Sequence, residues 1–147
     1  MADLRPPMLD DYGLLSALNW YCQNFTQRTG IAVKLHGEEL QPRLPAQVEI
    51  VLFRIVQEGL NNVAKYAQVN QADILFERTP RVARLIIVDE GEGFKMDEVL
   101  SPHRKPHWGL LNMQERAASI GGRLSIQSAP GQGTRISVEF DREGVTG

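Results

Sequence analysis

Residues 88–94 read "VDEGEGF". The run before it, "ARLIIV" (83–88), has the apolar, β-branched make-up of a buried strand. Two carboxylates and two glycines then follow at once. Glycines one residue apart mark backbone that turns sharply or passes close to another group. A carboxylate at such a strand end can hold a solvated ion, cap a turn or grip a ligand. The stretch alone leaves all three open.

Working outward, "ADILFER" (72–78) and "VARLIIVD" (82–89) are two strands joined around Thr79-Pro80. "RLSIQSA" (123–129) and "TRISVEF" (134–140) alternate with period two about "PGQG" and form a hairpin. "IAVKL" (31–35) is a fifth strand. Leu14, Leu18, Tyr21, Cys22 and Phe25 recur at helical spacing, with Asp10 or Asp11 as the cap and Gly30 as the stop. "LRPPML" (4–9) is expected to be extended or kinked, because its prolines block helix continuation. Pro45 suits the first turn of a second helix running to about Ala67. "GLLNMQERAASI" (109–120) is a third, ending at Gly121-Gly122. Lys95 to Trp108 is polar and proline-broken, and is expected to be a loop that acts as a lid. The sum is an α+β domain, a sheet of about five strands covered on one face by three helices.

The chain has 147 residues, one domain's worth, and a net charge of −2, so no basic excess points to nucleic acid or an anionic membrane. Its one cysteine, Cys22, excludes an internal disulfide and a cysteine zinc site; its helical neighbours mark it as core. No apolar run is long enough to span a bilayer and no signal peptide is legible, so a cytoplasmic location is expected.

On a helical wheel for 45–67, Leu52, Val56, Leu60, Val63 and Ala67 share one arc and should face the sheet. The opposite arc carries Glu58, Asn62 and Lys65, flanked by Tyr66. A solvated face would look similar. However, Gly59, Asn61 and Asn62 are poor helix formers, and a free surface favours Ala, Glu or Lys. Acid, amide and ammonium on one stripe suit a magnesium–phosphate site, with hard oxygens for the metal and a cation for the phosphates.

These pieces together resemble the GHKL superfamily, the ATP-binding (Bergerat) fold of sensor histidine kinases, DNA gyrase, heat-shock ATPase chaperones and mismatch-repair ATPases. "QEGLNNVAKYA" (57–67) resembles its N box. "DEGEGF" (89–94) resembles the first glycine box, "GLLNMQERA" (109–117) the second and "GQGT" (131–134) the third. A lone glycine box is weak; four motifs in order are strong. "GLxxMxERA…GG", with "LRPPMLDDYGLLSAL" and "RTGI" upstream, resembles the histidine kinases paired with helix-turn-helix response regulators. The likeness covers Leu4 to Phe140 and implies a two-layer α/β sandwich with a mixed sheet.

The resemblance implies that Asp89 accepts a hydrogen bond from the adenine amino group, with Gly91 and Gly93 letting the chain pass the base. It implies Asn62, with Glu58, as Mg²⁺ ligands and Lys65 as a phosphate contact, these three being the catalytic set. Tyr66, standing where His is commoner, flanks the nucleotide. Gly109 and Leu110 would offer helix N-terminal amides to phosphates, and Gly131, Gly133 and Thr134 would support the lid and the phosphate end. Glu90 and Asn112 depart from the usual Asn and Gly.

A complete histidine kinase needs a phosphoacceptor histidine in a helix followed by an acid, and none of His36, His103 and His107 has that context. Residues 1–9 are therefore expected to be the exit from dimerisation and phosphoacceptor helices lying elsewhere in the parent protein. Residues 10–141 would be the ATP-binding catalytic domain and 142–147 a tail. The implied reaction is transfer of the γ-phosphoryl of Mg-ATP to a histidine on the separate helices, for relay to a response regulator. The isolated chain is expected to be monomeric, free of nucleic acid and membrane contact, although the parent could be membrane-anchored. The alternatives are a protein-serine kinase of the anti-sigma-factor type and a non-catalytic nucleotide-binding module.

Overall fold

The computed structural model describes residues 7–38, 43–93 and 108–141. The described chain runs α1 (Pro7–Tyr12), α2 (Leu14–Thr29), β1 (Ala32–Gly37), α3 (Ala46–Asn62), a π-helical turn (Val63–Ala67), β2 (Gln71–Arg78), β3 (Val82–Asp89), α4 (Trp108–Ser119), β4 (Arg123–Ser128) and β5 (Thr134–Asp141). The sheet order is β1-β2-β3-β5-β4. β1 and β2 are parallel and the other pairs antiparallel, so the sheet is mixed.

Period-two alternation sends one set of side chains to the helices. Ala72, Ile74 and Phe76 of β2, Ala83, Leu85 and Ile87 of β3, and Ile136, Val138 and Phe140 of β5 are all buried. They meet Leu18, Cys22 and Phe25 of α2, Leu52, Val56 and Leu60 of α3, and Leu110, Met113 and Ala117 of α4 in one apolar core. Each large side chain buried here contributes about 1.5–3 kcal/mol. The opposite face carries a cross-strand charge row. Arg84 pairs with Glu77 at 3.5 Å and with Glu139 at 3.0 Å, and Arg123 reaches Glu139 at 3.3 Å. The result is a two-layer sandwich with long helices on one side.

Several details depart from expectation. The prolines do not keep residues up to Leu9 extended: Pro7 begins α1, where its missing N–H leaves no helical bond unmade. Asp10 and Asp11 lie within that helix and not at the start of α2, which is entered through Gly13 at φ 96°, with no side-chain cap bond. Arg43 ties α1 to α3: it forks onto the buried Glu49 carboxylate at 2.6 and 3.2 Å and donates to the Leu9 carbonyl at 2.9 Å. Pro45 stands one residue earlier than expected, as the N-cap. Trp108 opens α4 and does not close the preceding loop. That loop and lid, over 95–107, lie outside the described residues. Gly30, left-handed at φ 78°, stops α2 as expected.

The second helix keeps α geometry only to Asn62; Val63–Ala67 is wound as a π turn and released through Gln68 in the left-handed region. The predicted core arc survives, since Leu52, Val56, Leu60, Val63 and Ala67 are all buried. The polar arc is altered, because an angle of 100° per residue no longer applies beyond Asn62.

Candidate functional site

Three pieces of backbone converge where β3 ends. The first is the Val63–Ala67 turn, the second the 89–93 loop, the third the 129–133 turn between β4 and β5. The Glu92 peptide joins them. Its N–H donates to the Ala67 carbonyl at 3.1 Å, and its carbonyl accepts from Gly131 N–H at 2.6 Å. This packing explains the glycines. A Cβ on Gly91 would enter the Ala67 carbonyl, one on Gly93 the Ala129 carbonyl, and one on Gly133 the Asp89 carbonyl. Gly93 and Gly133 are left-handed as well, at φ 66° and 73°. Gly131 differs: it needs only its φ of 77°, with open space around its would-be Cβ.

Asp89 sits at the centre of this junction and is 7% exposed. Its Oδ1 accepts the Gly91 N–H at 2.9 Å. Burial pushes its carboxyl above the usual carboxylate range, against the opposing pull of N–H groups from Gly91 and Thr134. A recess of about 470 Å³ runs past Asp89, Ser128, Gly133 and Thr134, and a groove of about 630 Å³ runs past Asp89, Glu90 and Gln68 to Gln71. Both reach Asp89.

Glu58 and Asn62 occupy successive turns of α3 and are half-buried, whereas Lys65 and Tyr66 in the π turn are exposed. Single-turn π segments inside helices often accompany functional sites. Among the described residues no group of three or more His, Cys, Asp or Glu could hold a metal ion. An acid and an amide on adjacent turns still fit magnesium, which keeps several waters and takes substrate phosphate oxygens. Leu110 is buried through its side chain and, like Gly109, lies in the first turn of α4, where helix N–H groups have no intrahelical partner.

Two features escaped the sequence reading. Gly59 answers to packing, because a Cβ there would lie 2.6 Å from Cδ1 of Ile87, so α3 needs it to approach β3. Ser128 hydrogen-bonds Thr134, a pairing that a serine closing a strand does not advertise.

The profile of the family described as histidine kinase-, DNA gyrase B- and HSP90-like ATPase matches residues 47–144. The chain belongs to this ATPase family. Within it, the domain is 36% identical over 138 residues to the signal transduction histidine-protein kinase/phosphatase DegS of Brevibacillus brevis, covering 94% of this chain. It is also 36% identical over 140 residues to an uncharacterized sensor-like histidine kinase of Chloroflexus aurantiacus, covering 92% of this chain. The chain spans only 35% and 24% of the length of these relatives. Among solved structures, the histidine kinase domain of the blue-light activated histidine kinase of Erythrobacter litoralis superposes with a TM-score of 0.74 at 16% identity, over 90% of this chain and 69% of that one. ShkA in complex with AMPPNP gives 0.68 at 19% identity, over 86% and 28%. These likenesses bear out the α+β sandwich.

Proposed function

We propose that this domain binds Mg-ATP at the Asp89 junction and transfers its γ-phosphoryl group to a histidine on separate dimerisation and phosphoacceptor helices, for relay to a response regulator. The observation that carries the reading is the buried Asp89 carboxylate, held by two backbone N–H groups beneath a loop that only glycines can thread. An ionised carboxylate accepts hydrogen bonds and donates none, which suits the amino group of adenine and disfavours the carbonyl of guanine. The names of the sequence relatives support the kinase part, and the AMPPNP bound by ShkA supports the adenine-nucleotide part.

Phosphoryl transfer of this kind rests on positioning and charge neutralisation. Asp89 anchors the base. Gly91, Gly93, Gly131 and Gly133 hold the backbone frame around it, with Tyr66 at its edge; Thr134, expected at the phosphate end, is instead assigned to the base, because it pairs in register with Asp89. The first-turn amides of α4, at Gly109 and Leu110, receive phosphate oxygens, and Lys65 adds a cation. Asn62 would hold Mg²⁺ through its amide oxygen, with Glu58 binding directly or through a metal-bound water. Magnesium, when bound, supplies charge neutralisation across the phosphates. Among the described residues no helix is long and apolar enough to cross a membrane.

The test is incubation with γ-labelled ATP and a dimerisation–phosphoacceptor helix pair. Label on those helices that is lost in acid and kept in base marks phosphohistidine and supports the reading. Acid-stable label, or none despite bound ATP, contradicts it.

A further inference from the structure

We propose that Ser128 fixes the direction of the Thr134 hydroxyl and thereby sharpens the preference of the site for adenine; this rests on the adenine reading of Asp89. Ser128 closes β4 and pairs in register with Thr134, and Thr134 pairs with Asp89 of β3. Partners in antiparallel strands project to the same face with their Cβ atoms roughly 5 Å apart. The three side chains therefore form a row across the end of the sheet, and all three line the 470 Å³ recess.

The hydrogen positions follow from who can donate. Ser128 Oγ lies 2.9 Å from the Gly133 carbonyl and 2.9 Å from Thr134 Oγ1. A carbonyl only accepts, and a serine hydroxyl has one hydrogen. That hydrogen goes to Gly133, because the reverse would set two acceptors against each other at 2.9 Å. The Ser–Thr contact must then use the threonine hydrogen, which points at Ser128 and away from Asp89. Thr134 Oγ1 is left with lone pairs for the site, beside the carboxylate of Asp89. The row thus offers acceptors, which match the 6-amino group of adenine directly or through water. A purine with a 6-carbonyl meets oxygen against oxygen. Without the Ser128 hydroxyl, Thr134 can rotate, turn its hydrogen to the site and serve that carbonyl. Ser128 is a positioning residue: it acts on the ligand only through Thr134.

Calorimetric titration with ADP and with inosine diphosphate, both with Mg²⁺, tests this. They differ at the 6-amino and 6-carbonyl positions and cannot donate a γ-phosphoryl. In Ser128→Ala the ADP-to-inosine-diphosphate affinity ratio should fall about fivefold, the worth of one neutral hydrogen bond. Ser128→Thr keeps the hydroxyl and should keep the ratio. In a Thr134→Val background, where the rotor is gone, Ser128→Ala should change the ratio no further. Equal weakening of both nucleotides by Ser128→Ala is what a purely structural role gives, and it overturns the proposal, as does a further fall in the Thr134→Val background. Should Ser128→Ala not fold, Ser128→Cys, a much weaker donor, is read by the same ratio. A wild-type ratio near one overturns the adenine reading itself, and this proposal with it.

Discussion

A methyl group added at Gly91 probes the junction where three segments meet. The Cβ would enter the Ala67 carbonyl oxygen and lie 2.9 Å from the Ala67 carbonyl carbon and Cβ. These are backbone and near-backbone atoms of a buried residue at a helix end, so they cannot swing aside as a long side chain would. The 89–93 loop must lift instead, and the Glu92 N–H to Ala67 bond of 3.1 Å is lost. Overpacking of this kind costs about 1–3 kcal/mol, and the bond adds about 1 kcal/mol. The expected destabilisation is about 2–4 kcal/mol, a fall in Tm of roughly 5–15 °C for a domain of this size. Because Gly91 N–H also holds Asp89 Oδ1 at 2.9 Å, nucleotide affinity should fall with it. Gly121→Ala is the control. Gly121 has a similar φ of 71° to other turn glycines but open space beyond its Cα, so it should cost only the left-handed penalty of about 1–2 kcal/mol and leave affinity intact. Thermal melts with nucleotide titrations give both readouts. A Gly91→Ala protein with wild-type Tm and affinity would mean that the loop does not touch the helix end.

Asp89→Asn should behave differently in stability and binding. The raised pKa of Asp89 means that its burial favours the fold most at acid pH, and that this contribution is lost as pH rises through the folded-state value. The Asn variant, which has no charge to bury, should therefore gain on wild type in denaturant melts as pH rises from the ordinary carboxylate range toward neutrality. Its ADP affinity should meanwhile fall at least tenfold by calorimetry. Asn62→Ala should leave the melt unchanged or raise it slightly, by about 0.5 kcal/mol from helix propensity, while phosphotransfer to a supplied histidine collapses in the labelled-ATP assay. Cys22 is buried, with its thiol pushed up to about 11, so a thiol reagent at pH 8 should label it only as fast as the core opens.

The strands were legible because alternation and burial coincide: Ile74, Leu85 and Val138 could face only one way. Gly30 and the Gly121-Gly122 pair announced their helix ends through their own conformational freedom. The ordered motifs singled out Asp89 and its glycines, and the close approaches at Gly91, Gly93 and Gly133 give those glycines their physical reason. What stayed hidden depends on distant chain. Nothing local in "VAKYA" specifies π winding; that turn is held where Ala67 meets the Glu92 peptide. Gly59 counted as a helix-propensity oddity until Ile87 was seen against it. α1 went unread because a proline at the first helical position looks the same as one that breaks a helix. Ser128 reads as an ordinary residue at the end of a strand, and its hydroxyl matters only through the register that sets it against Thr134.

The most direct test of the central claim is a calorimetric titration of the wild-type domain with a non-hydrolysable ATP analogue and its guanine counterpart, each with and without Mg²⁺. The account predicts one adenine nucleotide per chain, at least tenfold tighter than the guanine form, and weakened when magnesium is withheld or Asn62 is replaced by alanine. Equal affinity for both bases in a folded protein, or no binding of either, would contradict it.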